Sequence, residues 1–178
     1  MRTIYLLFLL SLFGVLSVAD KSHFGDGDTA RAANVRKLFF TDATFRTKTG
    51  EWRYSLSTYY LDRPSAAFAC KKLGGQLAQI SSEDKYIFIT NWLETLSPYD
   101  QQQIHVGGFL ERNLVWTQDN REDMTFLVWH QDEPTVRHVD TWQESCLLLE
   151  KRNGKFKMND VACKDLRRRF LCEEHKAF

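Results

Sequence analysis

An α+β fold is predicted, because two stretches with helical spacing are followed along the chain by short apolar or aromatic runs that turns separate. The helical stretches lie within residues 62–73 and 82–96. The later runs are Ile104 to Leu110, Leu114 to Thr117, Thr125 to His130, Cys146 to Glu150, Phe156 to Met158 and Arg169 to Glu173. Short runs with no helical period are typical of β-strands.

The chain begins with a predicted signal peptide, residues 1–19. An apolar run from Ile4 to Leu16 precedes Ser17-Val18-Ala19, whose small side chains suit signal peptidase. The run is shorter than the ~20 residues of a membrane-spanning helix, which disfavours a signal anchor. We therefore expect a secreted, extracellular protein with no membrane span after cleavage.

The mature chain is expected to be electrically neutral and to form one domain. Removal of Arg2 with the signal peptide leaves 23 of the 24 basic residues against 23 acidic ones. Bulk charge therefore gives no reason to expect nucleic acid or a membrane surface as a partner. Residues 20–50 are polar and mixed, so we predict a weakly structured extension there and a globular domain at residues 51–176.

The first elements of the domain carry local signals. Aromatic and β-favouring residues between Trp52 and Leu61 predict a strand. Asp62 is expected to cap the first helix, whose first turn tolerates Pro64 and which ends at Gly74-Gly75. Its inward face is predicted to carry Ala66, Ala69, Cys70 and Leu73.

A short strand and a second helix follow. The strand is predicted from Leu77, Ala78 and Ile80, and Ser81 or Ser82 is expected to cap the helix. Pro98 marks the end of this helix. Its apolar positions at helical spacing are Tyr86, Ile89, Leu93 and Leu96.

Four cysteines and no Cys-x-x-Cys pair favour disulfides in an exported chain rather than a structural zinc site. They are Cys70, Cys146, Cys163 and Cys172. Spacing alone leaves all three pairings open.

Acidic and amide side chains are concentrated in the same part of the chain as the last three cysteines. They occur in Glu133-Pro134-Thr135, at Glu144 and in Asn159-Asp160. Calcium takes roughly six to eight oxygen ligands, which carboxylates and amides supply. The cluster therefore predicts a calcium site.

Several short motifs occur in an order typical of one family. They are Ala66-Ala67-Phe68-Ala69-Cys70, Leu73-Gly74-Gly75, His105-Val106-Gly107-Gly108-Phe109, Trp116-Thr117-Gln118-Asp119-Asn120, Trp129, Glu133-Pro134-Thr135, Cys146, Asn159-Asp160, Cys163 and Phe170-Leu171-Cys172-Glu173. Together they resemble the C-type lectin-like domain from about Trp52 to Glu174. The resemblance implies two helices, antiparallel sheets and a long ligand-binding loop region. It also implies the disulfides Cys70–Cys172 and Cys146–Cys163.

The resemblance further implies one bound Ca²⁺. The residues that match the family's calcium and sugar ligands are Glu133, Thr135, Glu144, Asn159 and Asp160. Thr135 departs from the mannose-type pattern, which has Asn, because a hydroxyl offers one short-reaching oxygen and no amide donor.

Two further expectations concern the loop around this site. Pro134 would need the cis isomer for its two neighbours to face one ion. Val136 and Ser145 stand where an auxiliary ion would require acids or amides, so at most one ion is expected.

The predicted function is therefore a secreted carbohydrate-binding protein that recognises hydroxyls of glycans or glycoproteins through one calcium ion. The acid-first order of Glu133-Pro134-Thr135 resembles the family's mannose, glucose and fucose pattern more than its galactose pattern, which implies a sugar of the first kind. The alternative is a calcium-independent C-type lectin-like module that binds proteins or extracellular matrix through its long loop.

Other features support less specific interpretations. The basic run of Lys164 and Arg167-Arg168-Arg169 could meet anionic glycans, but a solvated face is favoured because alternating strand side chains cannot all face one ligand. His138 and Trp142 could stack on a sugar or pack the loop. Met158, where the family has Trp, is interpreted as a core residue. Neither a nucleophile elbow nor a phosphate loop occurs, so no enzyme is predicted.

Overall fold

The computed structural model describes residues 40–96, 102–135, 145–164 and 166–178, and it has the predicted α+β order of elements. The strands are β1 (Phe40–Arg46), β2 (Gly50–Ser57), β3 (Gln76–Leu77), β4 (Gln103–Leu110), β5 (Trp116–Thr117), β6 (Ser145–Arg152), β7 (Lys155–Ala162) and β8 (Arg169–Ala177). The helices are α1 (Arg63–Lys72) and α2 (Glu83–Leu96). Neither helix in these ranges is long and apolar enough to cross a membrane. The predicted signal peptide lies outside the described residues.

Helix α1 begins and ends where its local signals predict. The Asp62 carboxylate accepts a hydrogen bond from the Ser65 backbone N–H at 2.8 Å, and Pro64 lies in the first turn. After Lys72 the chain reverses at Gly74, whose φ of +87° favours glycine. Ala66 and Cys70 are buried, while Ala69 and Leu73 pack against the same cluster. The predicted inward face is confirmed.

Helix α2 packs on β7. The Ser82 hydroxyl accepts a hydrogen bond from the Lys85 backbone N–H at 3.4 Å, as expected of a cap. Ile89 and Leu93 are buried in the core, and the Tyr86 hydroxyl donates to a backbone carbonyl of β7 at 2.8 Å. Leu96 continues the helical spacing but is 38% exposed, so the buried stripe of this helix ends at Leu93.

The main sheet has the strand order β1-β2-β8-β4-β6-β7, with β3 beside β8 and β5 beside β4. All these pairs are antiparallel except β4 with β8, which is parallel. Apolar side chains from both halves of the sheet and from α2 form the larger core cluster. The largest fully buried members are Tyr54, Phe156, Leu56, Ile80, Ile89, Leu93, Ile104, Leu147 and Leu149.

Strand β1 corrects the expectation of weak structure across residues 20–50. It pairs with β2 in antiparallel register from Phe40 opposite Ser57 to Arg46 opposite Glu51. Phe40 contacts Phe170 at a ring-centroid distance of 5.9 Å. Phe40 belongs to the smaller core cluster and Phe45 packs against the larger one, whereas Asp42, Thr44 and Arg46 are exposed.

The run from Thr125 to His130 is not a strand, which corrects a second prediction. Only Trp129 forms an isolated bridge, with Met158 of β7. Met158 is fully buried, and its sulfur accepts a hydrogen bond from the Val128 backbone N–H at 3.2 Å. Its predicted core position is confirmed, and it also holds this irregular segment against β7.

Both disulfides implied by the family resemblance are present. Cys70 of α1 is bonded to Cys172 of β8, and Cys146 of β6 is bonded to Cys163 beyond β7. The first bridge therefore joins α1 to a central strand, and the second joins β6 to the chain that follows β7.

His105 is a buried titratable group in the middle of β4. It is 1% exposed, and its Nε2 lies 3.2 Å from the Leu166 carbonyl oxygen. Burial is the main cause that lowers the pKa of His105 to about 4, and the positive charges of Arg168 and Arg63 lower it further. The contact with the Leu166 carbonyl opposes this shift. The folded protein therefore keeps His105 neutral in mildly acidic solution.

We expect His105 to make the fold sensitive to acid. Its pKa is about 4 when folded, against an ordinary value of 6.5, so the unfolded chain binds the proton first as pH falls. The stability that the folded protein gains by keeping His105 neutral is fully present above pH 6.5. As pH falls toward 4, the free energy of unfolding decreases by on the order of 2 to 3 kcal/mol. Urea unfolding at pH 7 and pH 4.5 measures this loss. His105→Phe should remove that part of the pH dependence, and an unchanged dependence in the variant would contradict the assignment.

Candidate functional site

The candidate site lies where an irregular loop meets the β6–β7 hairpin. The loop contains a cis peptide bond between Glu133 and Pro134, which agrees with what the family resemblance implies. One side of the loop is held by His130, whose Nε2 lies 2.7 Å from the Glu150 carbonyl oxygen. The other side is held by Thr135, which contacts Asp160. The site is therefore attached to the hairpin at both ends of the loop.

Asp160 is the attachment point for Thr135. Its Oδ1 accepts a hydrogen bond from the Thr135 backbone N–H at 2.7 Å and one from the Thr135 hydroxyl at 3.2 Å. Asp160 is only 4% exposed, whereas Thr135 is exposed, so the two hydrogen bonds are partly shielded from water. The carboxylate thus holds the loop that carries Glu133, in addition to its predicted role as a calcium ligand.

Asn159 lies beside Asp160 on β7 and is 6% exposed. Its side-chain nitrogen donates a hydrogen bond to Glu150 Oε2 at 2.8 Å. This contact fixes the orientation of the amide, because the nitrogen faces Glu150 and leaves the amide oxygen to face elsewhere.

Glu150 is a site residue that the sequence analysis did not identify. It is 7% exposed and accepts hydrogen bonds from Gln103 at 2.9 Å, Arg152 at 2.7 Å and Asn159 at 2.8 Å. Burial raises the pKa of Glu150, but the three hydrogen bonds together lower it below its ordinary value. The signal in the sequence was a lone acid that follows the apolar run Cys146 to Leu149, on the strand that pairs with the one carrying Asn159.

Arg152 is the second residue that the analysis missed. Its Nη2 lies 3.1 Å from Glu133 Oε1 and 2.5 Å from Glu150 Oε2. Burial lowers the pKa of Arg152, but its hydrogen bonds to Glu150 and Glu133 outweigh burial and raise it. One guanidinium therefore links the predicted ligand Glu133 to the carboxylate that orients Asn159.

Two buried oxygen atoms show whether the chemistry of these residues suits a calcium ion. Within the described ranges, Glu133 Oε2 and Asn159 Oδ1 are buried and have no hydrogen-bond partner. A buried acceptor without a donor costs about 1 to 3 kcal/mol, so both oxygens favour a donor or a cation. Carboxylate and amide oxygens are ligands of the kind that Ca²⁺ prefers. The residues fit a calcium ion in their chemistry.

The structure brings four of the five predicted ligands to one region. Asp160 contacts Thr135 directly, and Asn159 is linked to Glu133 through Glu150 and Arg152. Glu144, like Val136, His138 and Trp142, lies outside the described residues. Among the residues that the structure does describe, no group of three or more His, Cys, Asp or Glu side chains is arranged to hold a metal ion.

The basic run near the last strand does not form one surface. Arg168 is buried and donates to Gln103 Oε1 at 2.6 Å, and Arg169 donates to the Ser57 carbonyl at 2.6 Å. Arg167 and Lys164 are exposed and line a cleft of about 200 Å³. The arginine side chains therefore point in different directions, which disfavours a shared anionic ligand.

Comparison with known proteins gives one family and one fold. The family described as "Lectin C-type domain" matches residues 62–174, which is more than half of the chain. Human lithostathine is similar in structure, with a TM-score of 0.62 at 18% identity over 76% of this chain and 97% of that one.

Two further solved structures have the same fold. The carbohydrate-recognition domain of the mouse scavenger receptor C-type lectin has a TM-score of 0.57 at 17% identity, over 76% of this chain and 95% of that one. SPL-1, solved as a complex with GlcNAc, has a TM-score of 0.59 at 14% identity, over 69% of this chain and 87% of that one. Identities this low establish the fold alone.

Proposed function

Because the chain belongs to the Lectin C-type domain family, which matches residues 62–174, we propose that it is a secreted protein that binds carbohydrate through one calcium ion. Its partners would be glycans or glycoproteins, recognised by their hydroxyl groups. The order Glu133-Pro134-Thr135 favours mannose, glucose or fucose as the sugar. The family is generally non-enzymatic, and we propose binding without catalysis.

The pair of buried oxygens without donors is the observation that supports this proposal most directly. Glu133 Oε2 and Asn159 Oδ1 lie in the part of the fold where the sequence predicts the ligands, and no donor within the described residues reaches either one. The proposed ligands are Glu133, Thr135, Glu144, Asn159 and Asp160. Bound calcium would supply a positive charge to which sugar hydroxyls can be attracted.

The surrounding residues of the chain would hold these ligands in place before the ion arrives. Asp160 binds both the N–H and the hydroxyl of Thr135, and Glu150 orients the amide of Asn159. Because these hydrogen bonds already restrict the side chains of Asn159 and Thr135, the ligands would lose less conformational freedom when the site is filled.

A specific observation favours the alternative function, a calcium-independent module that binds protein or matrix. Arg152 already supplies a positive charge to Glu133 and Glu150. One guanidinium offsets one of these two negative charges, so the buried pair of carboxylates has less need of a metal ion. In that case the loop after Thr135 would be the contact surface.

Calcium and chelator distinguish the two functions. At a Ca²⁺ concentration one hundred times the Kd, we expect about 2.7 kcal/mol of added stability, together with retention on a mannose resin. Excess chelator should abolish both effects, and thermal unfolding with and without calcium measures the first. If chelator changes neither the melting temperature nor the retention, the calcium-dependent function is wrong.

Two variants test the proposed ligands. Glu133→Gln and Glu144→Gln keep the shape of each side chain but remove its charge, so both should lose retention and the calcium-induced stabilisation. Glu94→Gln is the matched control, because Glu94 pairs with Lys155 at 3.0 Å on the surface of α2. Loss of retention in the control would show that the effect is not specific to the site.

A further inference from the structure

The position of Arg152 beside the proposed calcium ligands is the feature that the proposed function leaves unexplained. Its guanidinium lies between Glu133 and Glu150, whose side chains are only 8% and 10% exposed. The Arg152 side chain is itself 37% exposed, so the positive charge lies at the entrance to a largely buried pair of acids. Because Arg152 offsets part of the negative charge of Glu133 and Glu150, it determines how strongly these carboxylates can attract another cation.

The hairpin sets where this guanidinium lies. Arg152 is the last residue of β6 and is followed by Asn153 and Gly154, with φ values of 52° and 77°. Positive φ at both central residues is typical of a tight two-residue hairpin turn. Since side chains two residues apart lie on the same face of a strand, β6 places Arg152 beside Glu150, and the turn begins directly after it. The guanidinium is therefore positioned by the backbone and not only by its ion pairs.

The contacts of Glu133 imply competition. One carboxylate oxygen of Glu133 is bound to Arg152, while the other is buried without a partner among the described residues. A calcium ion that approached the second oxygen would meet the positive charge held on the first. Charges of the same sign in a shielded site repel each other more strongly than they do in water.

We propose that Arg152 is a resident cation that competes with calcium for Glu133 and sets the calcium affinity of the site. This inference rests on the proposed function. Arg152 acts through Glu133 and is a positioning residue rather than a ligand. It holds the acids together without metal and weakens the binding of the metal.

The test is calcium titration by calorimetry on the folded protein. Arg152→Gln should bind Ca²⁺ at least tenfold more tightly than the parent chain. Arg152→Lys keeps the charge, so it should stay within about threefold of the parent Kd. Arg46→Gln is the control, because it removes one positive charge from an exposed pair with Glu51. It should leave the Kd unchanged.

A second measurement separates competition from a purely structural role. In chelator, Arg152→Gln should melt at a lower temperature than the parent chain, because Glu133 and Glu150 lose their shared cation. In saturating calcium most of that difference should disappear. Arg152→Met, which keeps an aliphatic stem, serves as a second variant without charge.

The outcomes are distinct. If the parent and Arg152→Gln bind calcium equally well, the inference is overturned while the calcium-dependent function stands. If neither binds calcium, both are overturned. If Arg152→Lys gains as much affinity as Arg152→Gln, the shape of the guanidinium and not its charge is responsible, and competition between cations is the wrong explanation.

Discussion

Replacement of Cys70 and Cys172 together by alanine is expected to lower the free energy of unfolding by about 4 to 5 kcal/mol. The two residues are 102 positions apart, so their bridge removes much of the freedom of the unfolded chain. Both cysteines are buried, which is why alanine is a better replacement than serine. Urea unfolding of the purified domain measures the change.

The second disulfide provides a matched comparison. Cys146 and Cys163 are separated by only 17 positions, and the same relation predicts a loss of about 3 kcal/mol when both become alanine. Each double variant removes one bridge and the same two sulfur atoms, so the difference between the two losses reports on loop length. A larger loss for the shorter loop would contradict this explanation.

Phe170→Ala is expected to destabilise the domain by about 3 to 5 kcal/mol. Phe170 is fully buried in β8, and its ring meets Phe40 at 5.9 Å and Tyr59 at 5.3 Å in edge-to-face geometry. Truncation would leave a cavity and remove both ring contacts. The free energy of unfolding in urea, compared with that of the parent chain, measures the loss.

Phe68→Ala is the control for this prediction. Phe68 lies on α1 and is 61% exposed, with the Lys72 ammonium 5.2 Å from its ring centroid. Because little apolar area is buried there, the same substitution should cost less than about 1 kcal/mol. Similar losses at Phe68 and Phe170 would show that burial is not the cause.

The helices were predictable because their signals are local. Asp62 contacts Ser65 three residues later, and Gly74 supplies the positive φ at the end of the same helix. Strand β1 was not predictable in this way. Its stability depends on pairing with β2 and on the contact of Phe40 with Phe170, which is far away in sequence.

Some features of the candidate site also agree with the sequence pattern, while others arise only from the fold. The cis bond at Pro134 and the buried pair Asn159-Asp160 agree with the pattern of residues in the sequence. The ion pairs of Arg152 do not follow from any motif. They arise because the loop that carries Glu133 folds back onto the β6–β7 hairpin, and the spacing of residues along the chain does not reveal that approach.

The sequence by itself determined the family and the two helices, and it is the source of the proposed calcium ligands, because motifs, caps and cysteines act through residue type and short spacing. Only the tertiary structure decided that β1 belongs to the sheet and that Arg152 lies between Glu133 and Glu150. The physical reason is that burial and charge pairing depend on distances in space. The distances between residues that are far apart in sequence are set only when the strands pair in the folded protein.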